Sequence, residues 1–395
     1  MPKRNSPAWS YSLPAALLLM APFDILASLA MDIYLPVVPA MPAILGTTSD
    51  IVQLTLSLYM IVLGLGQVVF GPVSDRIGRR PVLISGAVLF ATASFLLAGT
   101  SSAALFVALR VVQALGASAA LVATFATVRD VYADRAEGAV IYGLFSAMLA
   151  CVPALGPIAG ALIARGFGWR AIFVALGVLA VVAVLNALPR WHETRPAPGG
   201  MARLAFLPIL KSPAFWVYTL GFSAAMGAFF VFFSTAPRVL IDRAGFSQLG
   251  FSLAFATAAV AMMVTTRFAR LFVARWGIAG SLARGMVMLL VGAALLVCGQ
   301  FFAAPSFASF VVPMWVISTG IVFAGSVTAN GALQEFGNAA GTAVALYFCV
   351  QSLIVGVVGT LVVVMLGGDT AWPLAAYCAG MAVATLGGLR LLGRH

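Results

Sequence analysis

The sequence predicts an all-α integral membrane protein with twelve membrane-spanning helices. Hydrophobic residues make up 63% of the 395 residues, and charged residues only 8%, against about 25% in an average soluble protein. Apolar stretches of about 20 residues, long enough to cross a bilayer, also follow one another along the chain. These apolar stretches occupy so much of the chain that no room is left for a separate soluble domain of any size.

Polar residues, glycines and prolines divide the apolar sequence into candidate spans. In chain order these lie near 13–38, 51–73, 82–99, 103–127, 139–163, 170–188, 213–237, 250–267, 279–300, 308–332, 342–366 and 372–391. With twelve spans, the two ends of the chain are expected on the same side of the membrane.

The basic residues predict the orientation of these spans. One set of alternate connections holds Lys3, Arg4, Arg76, Arg79, Arg80, Arg129, Arg135, Arg190, Arg195, Arg203, Lys211, Arg267, Arg270, Arg275, Arg390 and Arg394. The other set holds only Arg165, Arg170, Arg238 and Arg243. Because basic residues accumulate in cytoplasmic connections, both termini are predicted to be cytoplasmic. The net charge of +11 is then an orientation signal, and no nucleic-acid partner is expected.

The longest connection, 189–212, predicts a division into an N-terminal bundle (1–188) and a C-terminal bundle (213–395) of six helices each. A weak internal repeat supports it. Gly138-Ala-Val-Ile-Tyr142 opens the fifth span and Gly341-Thr-Ala-Val-Ala345 the eleventh, while Arg76-Ile77-Gly78 has a degenerate partner in Arg275-Trp276-Gly277. Two pseudo-symmetric halves about an axis along the membrane normal indicate a transporter of the major facilitator type.

Three ionisable residues inside the spans are the leading functional candidates: Asp24, Asp32 and Arg110. Placing an ionisable side chain near the middle of the membrane costs several kcal/mol, so each of these three residues is a candidate for a functional role by default. A carboxyl group in a dehydrated cavity can hold a proton near neutral pH and exchange it for a substrate. The alternative is that Asp24 or Asp32 forms a permanent structural ion pair with Arg110.

Uncharged polar and aromatic residues are predicted to complete a substrate cavity. Gln113 lies three residues after Arg110 and therefore on the same helix face. An adaptable apolar pocket is expected from the aromatic and sulfur-bearing residues of the seventh span. With Asp32, the predicted substrate-binding residues are Tyr59, Gln113, Phe233, Asn330 and Tyr347.

Two further segments are predicted to control conformation. The connection after the second span carries an ordered set of small and charged residues, where Asp75 can cap a helix or pair across the halves and Gly78 permits a tight turn; the alternative is orientation charge alone. Span five combines prolines and glycines mid-membrane, which favours a bend and a close helix contact. The residues are Gly71, Asp75, Arg76, Gly78, Arg79 and Arg80 in the connection, and Pro153, Gly156, Pro157 and Gly160 in span five.

These segments resemble known motifs. Gly71-Pro-Val-Ser-Asp75-Arg76-Ile-Gly78-Arg79-Arg80 resembles the motif between helices two and three of the major facilitator superfamily. Arg110, Gln113 and Gly116 resemble its helix-four motif, and Gly156-Pro157 with Gly160 the helix-five motif of drug/proton antiporters. The segments Pro22-Phe23-Asp24, Met31-Asp32-Ile33-Tyr34-Leu35-Pro36 and Asp369-Thr370-Ala371-Trp372-Pro373 are similar to those of the phenicol exporters.

The resemblance implies efflux of chloramphenicol and florfenicol in exchange for protons across a bacterial inner membrane, with Asp24, Asp32 and Arg110 in coupling. The expected partners are drug, protons and membrane lipid; the expected state is a monomer without cofactor or metal. Three alternatives remain open. They are a broader multidrug or metabolite exporter, an integral-membrane enzyme and a non-transporting receptor. For the enzyme, the sequence shows no nucleophile–base pair and no metal-ligand cluster.

Overall fold

The structure is a computed structural model that describes residue 9 and residues 11–132, 136–194, 206–336 and 340–393. These residues form helices and connections, and no strand occurs among them. Ten of the described helices are long and apolar enough to cross a membrane. Of the basic residues used to predict orientation, Lys3, Arg4, Arg135, Arg195, Arg203 and Arg394 lie outside the described residues.

The first half of the chain contains six long helices. They are α1 (Leu13–Asp32), α3 (Ser49–Ile77), α4 (Arg79–Gly99), α5 (Ala103–Tyr132), α6 (Ala136–Phe167) and α7 (Arg170–Arg190). A 3-10 turn (Leu35–Ala40) and the short α2 (Met41–Leu45) continue α1. α4 packs between α5 and α7, and α1 packs against α5, α6 and α7.

The short α8 (Phe206–Lys211) lies at the end of the 189–212 connection. The second half then contains α9 (Pro213–Pro237), α10 (Gln248–Phe302), α11 (Val312–Leu333), α12 (Ala340–Ile354), α13 (Thr360–Leu366) and α14 (Trp372–Leu392). A π-helical turn (Val355–Gly359) joins α12 to α13, and together they form one span. The part of the 189–212 connection between 194 and 206 lies outside the described residues, so the predicted domain boundary stays a prediction.

Two glycines occupy corresponding places in the two halves. Gly78 separates α3 from α4 with φ 113°, and Gly277 interrupts α10 with φ 68° and ψ −175°. α10 is therefore two spanning helices, 248–276 and 278–302, joined at the second glycine. A positive φ is easily adopted only without a side chain, which explains why the repeat between Arg76-Ile77-Gly78 and Arg275-Trp276-Gly277 retains its glycine.

The two halves meet along two seams. In the first, α3 packs against α12 and the turn after it, where the Ser57 and Thr360 hydroxyls are 2.5 Å apart. In the second, α6 packs against the first part of α10, and the Ser252 hydroxyl donates to the Pro157 carbonyl at 2.9 Å. α1 contacts α3 and α6, and α9 contacts α12 and α10, so each of these two helices lies between the seams.

The ends of the bundle differ. We call the end that carries Arg76, Arg129 and Arg190 the basic end, and the other the opposite end. At the opposite end the 3-10 turn after α1 packs against α9 and α10, and Gln53 Nε2 donates to Ser234 Oγ at 3.0 Å. The described hydrogen bonds between the halves thus lie from mid-membrane to the opposite end.

Candidate functional site

The Arg110 side chain is fully buried in α5 and holds the end of α1. Its Nη1 donates to the Ala30 carbonyl at 3.1 Å and to Gln113 Oε1 at 2.6 Å. The last carbonyls of a helix have no partner within it, and Pro36 has no N–H to offer the Asp32 carbonyl. The Arg110 guanidinium gives one of these carbonyls a hydrogen-bond donor, and its positive charge interacts favourably with the negative end of the helix dipole.

A polar network extends from Arg110 into α4. Gln113 Nε2 donates to Ser94 Oγ at 2.8 Å, and both residues are fully buried. The predicted substrate-binding residue Gln113 is thus placed as the orienting partner of the guanidinium. Ser94 was not singled out from the sequence, because a serine among apolar residues carries no signal of its own.

Two tyrosines enclose the guanidinium. The carbon of the Arg110 guanidinium lies 4.4 Å from the ring centroid of Tyr59 and 5.3 Å from that of Tyr34. The Tyr59 hydroxyl donates to the Ala27 carbonyl at 2.8 Å, one turn before the carbonyl held by the arginine. The rings offer the cation their negative faces, so α3 and α5 together fix the last turns of α1.

Asp32 is the last residue of α1 and lies next to the glycines of α6. It is 5% exposed. A Cβ atom at Gly156 would lie 2.8 Å from the Asp32 Cβ, and one at Gly160 would overlap the Ile33 carbonyl oxygen. The close approach of α6 to α1 therefore exists because positions 156 and 160 lack side chains.

Asp24 lies two turns earlier on α1, toward the basic end. It is 1% exposed, and its Oδ2 has no hydrogen-bond partner among the described residues. The eight-residue separation places the two carboxylates about 12 Å apart along the axis. They are therefore two separate sites and not one shared pair.

Neither carboxylate forms an ion pair with Arg110. The four ion pairs among the described residues lie at the two ends of the bundle, and none of them includes Asp24 or Asp32. Arg110 Nε and Nη2 have no hydrogen-bond partner in the described part of the chain. The structure thus brings Asp32, Arg110, Gln113 and Tyr59 to the same end of α1 without the structural bridge that was the alternative.

The remaining predicted cavity residues lie elsewhere. The Phe233 ring is buried near the opposite end, stacked on Phe230 at 6.5 Å. Asn330 is exposed near the end of α11. Tyr347 is buried in α12, where its hydroxyl donates to Thr328 Oγ1 at 2.9 Å. These three residues do not join the Arg110 site, and their roles in binding stay predictions.

At the basic end, the buried Arg79 organises the connection between α3 and α4. Its guanidinium pairs with Asp75 at 2.5 Å and with Asp130 at 2.9 Å, and Nη1 donates to Ser74 Oγ at 2.6 Å. Asp75 therefore pairs within its own half in this structure and not across the two halves. Arg76 is exposed, and a Cβ at Gly71 would meet no atom within 4 Å.

Glu193 caps this connection from the end of the sixth span. Its carboxylate accepts from the backbone N–H groups of Arg79 at 2.8 Å and Arg80 at 3.2 Å. These are the first amides of α4, where a negative charge is stabilising. The side chain occupies the space that a Cβ at Gly78 would need. Glu193 and Asp130 were not predicted as site residues, although both are among the few acids of the chain.

Comparison with known proteins identifies the family. Residues 23–360 match the Major Facilitator Superfamily.

The chain belongs to the major facilitator superfamily.

It is thus a multi-pass transporter of the inner membrane, and the predicted all-α major facilitator membrane fold is confirmed, while the cytoplasmic position of both termini stays a prediction. It is 50% identical over 381 residues to a chloramphenicol resistance protein of Pseudomonas aeruginosa, covering 96% of this chain and 91% of the relative. It is 30% identical over 390 residues to the uncharacterized transporter YdgK of Bacillus subtilis (strain 168), covering 95% of this chain and 94% of the relative.

More distant similarity is seen in sequence and in structure. The multidrug resistance protein MdtL of Salmonella schwarzengrund (strain CVM19633) is 30% identical over 239 residues, which cover 59% of this chain and 60% of the relative. The POT family transporter PepTSo has a TM-score of 0.78 at 12% identity, covering 98% of this chain and 99% of that one. A POT family transporter in complex with 5-aminolevulinic acid has a TM-score of 0.73 at 13% identity, covering 96% and 95%. These two structures support the fold alone.

Proposed function

We propose that this transporter exports phenicol antibiotics, with chloramphenicol as a substrate and florfenicol as a second one, in exchange for protons across the bacterial inner membrane. The observation that carries the drug assignment is the 50% identity to a chloramphenicol resistance protein over almost the whole of both chains. A monomer without cofactor or metal is the proposed working unit, and both termini are cytoplasmic.

The proposed transport cycle is alternating access between the halves. Contact between the halves runs from mid-membrane to the opposite end, where Gln53 bonds to Ser234. The basic end is assigned to the cytoplasmic side, because Arg and Lys residues accumulate in cytoplasmic connections. The arrangement supports a state in which the space between α1 and α9 opens to the cytoplasm and receives drug from there.

Proton coupling is assigned to Asp32 and Asp24, with Arg110 as a fixed positive charge at the end of α1. A buried carboxylate without a counter-ion is costly in the membrane, and proton binding removes that cost. Movement of Asp32 relative to Arg110 and Gly156 during the cycle changes the cost, so the proton is bound on one side and released on the other. Drug binding and protonation then compete at Asp32.

The membrane potential supplies a driving force for this exchange. One proton exchanged for one neutral drug moves a charge across the membrane, which supplies about 2.3 kcal/mol per 100 mV. Because about 1.36 kcal/mol corresponds to a tenfold ratio, the potential alone sustains a drug gradient of roughly fifty-fold.

The test is drug-driven proton movement in vesicles that contain the purified protein. Addition of chloramphenicol to wild-type vesicles is expected to cause proton movement that a protonophore abolishes. Asp32→Asn is expected to eliminate this signal. Asp50→Asn, at an exposed aspartate in the first turn of α3, is the matched control and is expected to behave as wild type. Drug-driven proton movement that persists in Asp32→Asn rejects the coupling assignment.

A broader multidrug exporter is the second candidate, and the similarity to the multidrug resistance protein MdtL favours it. Competition separates the two. If unrelated cationic drugs reduce chloramphenicol transport as strongly as florfenicol does, the broader specificity is correct. Chemically unchanged chloramphenicol after incubation excludes an enzymatic mode of resistance, and net flux in vesicles excludes a receptor that only binds.

A further inference from the structure

The face of α9 that looks toward the other half is defined by its neighbours. The Phe222 ring stacks on Tyr347 of α12 with centroids 4.9 Å apart, and the Phe229 ring lies 6.0 Å from Phe255 of α10. α12 and α10 are the helices of this half that form the two seams. The face of α9 between them is therefore directed toward α1, which lies between the same seams in the other half.

Exposure identifies three side chains on this face. From Gly221 to Pro237 every residue of α9 is buried except Phe222, Met226 and Phe229, which are partly exposed. Their spacings of four and three residues place them on one side of the helix. Other faces of α9 are covered, for example where the Tyr377 hydroxyl of α14 donates to the Ser223 carbonyl at 2.8 Å. Two phenyl rings and a thioether thus form an apolar wall between the halves.

A polar group accompanies this wall. Gln351 lies one turn after Tyr347 on α12 and is 5% exposed, and its Nε2 has no hydrogen-bond partner among the described residues. Its Oε1 accepts from the neighbouring Ser352 hydroxyl at 3.4 Å. α9 and α12 run in the same direction, so the contact between Phe222 and Tyr347 places Met226 and Gln351 at the same depth. A buried amide donor without an acceptor is unfavourable, and a ligand oxygen supplies one.

We propose that Phe222, Met226, Phe229 and Gln351 form the drug-recognition subsite of this transporter, which rests on the proposed phenicol export. The flat ring of the drug lies against the two phenyl groups and the thioether, and Gln351 Nε2 donates to an oxygen of the drug. Stacking and sulfur–aromatic contacts hold a neutral ring without a charge. Recognition of the ring then belongs to the second half, while the proton sites belong to α1. The substrate class is a neutral aromatic molecule with a hydrogen-bond acceptor.

The experiment is equilibrium binding of radiolabelled chloramphenicol to the purified full-length protein. Phe222→Leu and Gln351→Met remove a ring and an amide at similar volume. We expect each to raise the Kd about 3- to 10-fold, from one lost stacking contact or one lost hydrogen bond. Phe268→Leu is the matched control, because Phe268 is 48% exposed on α10 and lies outside the wall; its Kd is expected to stay within about twofold of wild type.

The outcomes separate this inference from the proposed function. If the wild-type protein does not bind chloramphenicol, the proposed phenicol export is wrong, and the proposed subsite is wrong as well. If wild type binds and both variants bind as tightly, the subsite is wrong and phenicol export stands. Equal weakening in the Phe268 control also rejects the subsite. Met226→Leu, which keeps the volume but removes the sulfur, replaces a variant that does not fold, and unchanged binding by it likewise rejects the subsite.

Discussion

The contact between α1 and α6 gives a sharp test of how the acidic site is positioned. Gly156→Ala adds one methyl group, whose carbon would lie 2.8 Å from the Asp32 Cβ and 3.5 Å from the Ile33 backbone nitrogen. Carbon atoms pack best about 3.5–4.0 Å apart. The two helices must therefore separate locally by about 1 Å, and the Asp32 carboxylate moves relative to Arg110 and Tyr59.

The expected magnitude follows from this displacement. Overpacking by one methyl group costs about 1–3 kcal/mol, and a displacement of about 1 Å at a working site lowers a rate by up to about 100-fold. We expect Gly156→Ala to lower the unfolding temperature and to reduce chloramphenicol-driven proton movement at least about tenfold. Gly160→Ala should be more severe, because its methyl group overlaps the Ile33 carbonyl.

The matched control is Gly166→Ala in the same helix, where a Cβ would meet no atom within 4 Å. Alanine favours a helix over glycine by up to about 1 kcal/mol, so this variant should be as stable as wild type or more stable. Thermal unfolding and proton movement in vesicles are measured for all three variants. Wild-type activity in Gly156→Ala would show that the close approach of α6 does not position Asp32, and the reasoning would be refuted.

Three further predictions concern charged groups. Arg110→Lys keeps the positive charge but loses the planar contacts of the guanidinium with the two tyrosines. Chloramphenicol transport should therefore fall at least about tenfold, while the Kd for the drug changes little. A weaker drug Kd with an unchanged transport step would contradict this expectation. Glu193→Gln should lower the unfolding temperature, because it removes about 0.5–1 kcal/mol of charge interaction at the first amides of α4. Gly78→Ala should lower the unfolding temperature further, because φ is 113° at that position. If neither variant changed the unfolding temperature, the proposed capping of α4 by Glu193 would be refuted. Partial burial raises the pKa of Asp369, but the Arg243 guanidinium outweighs it, and the net pKa lies below its ordinary value. Asp369→Asn should therefore cost up to about 1 kcal/mol at pH 7. The cost should begin to shrink as the pH falls below about 4, the ordinary pKa of an aspartate, and should disappear only below the lowered pKa of the folded state. Melting curves at pH 7 and pH 3.5 would check that the difference between the two proteins is smaller at the lower pH.

The predicted fold class could be read from the sequence because a bilayer requires long apolar helices. The paired glycines at positions 78 and 277 even marked where α3 ends and where α10 is interrupted. The same reasoning identified Asp24, Asp32 and Arg110, since ionisable residues are conspicuous in apolar segments. A serine in such a segment is not conspicuous, so Ser94 became visible only through its contact with Gln113.

The sequence by itself determined which residues enter the membrane, the family to which the chain belongs and the charged residues at the centre of the first half. These follow from composition, order and spacing, which are local properties of the chain. Only the tertiary structure decided what those residues touch. Arg110 holds the end of α1 and pairs with neither aspartate, and Asp32 packs against Gly156. Such contacts join positions far apart in sequence, and their geometry is set by the packing of whole helices.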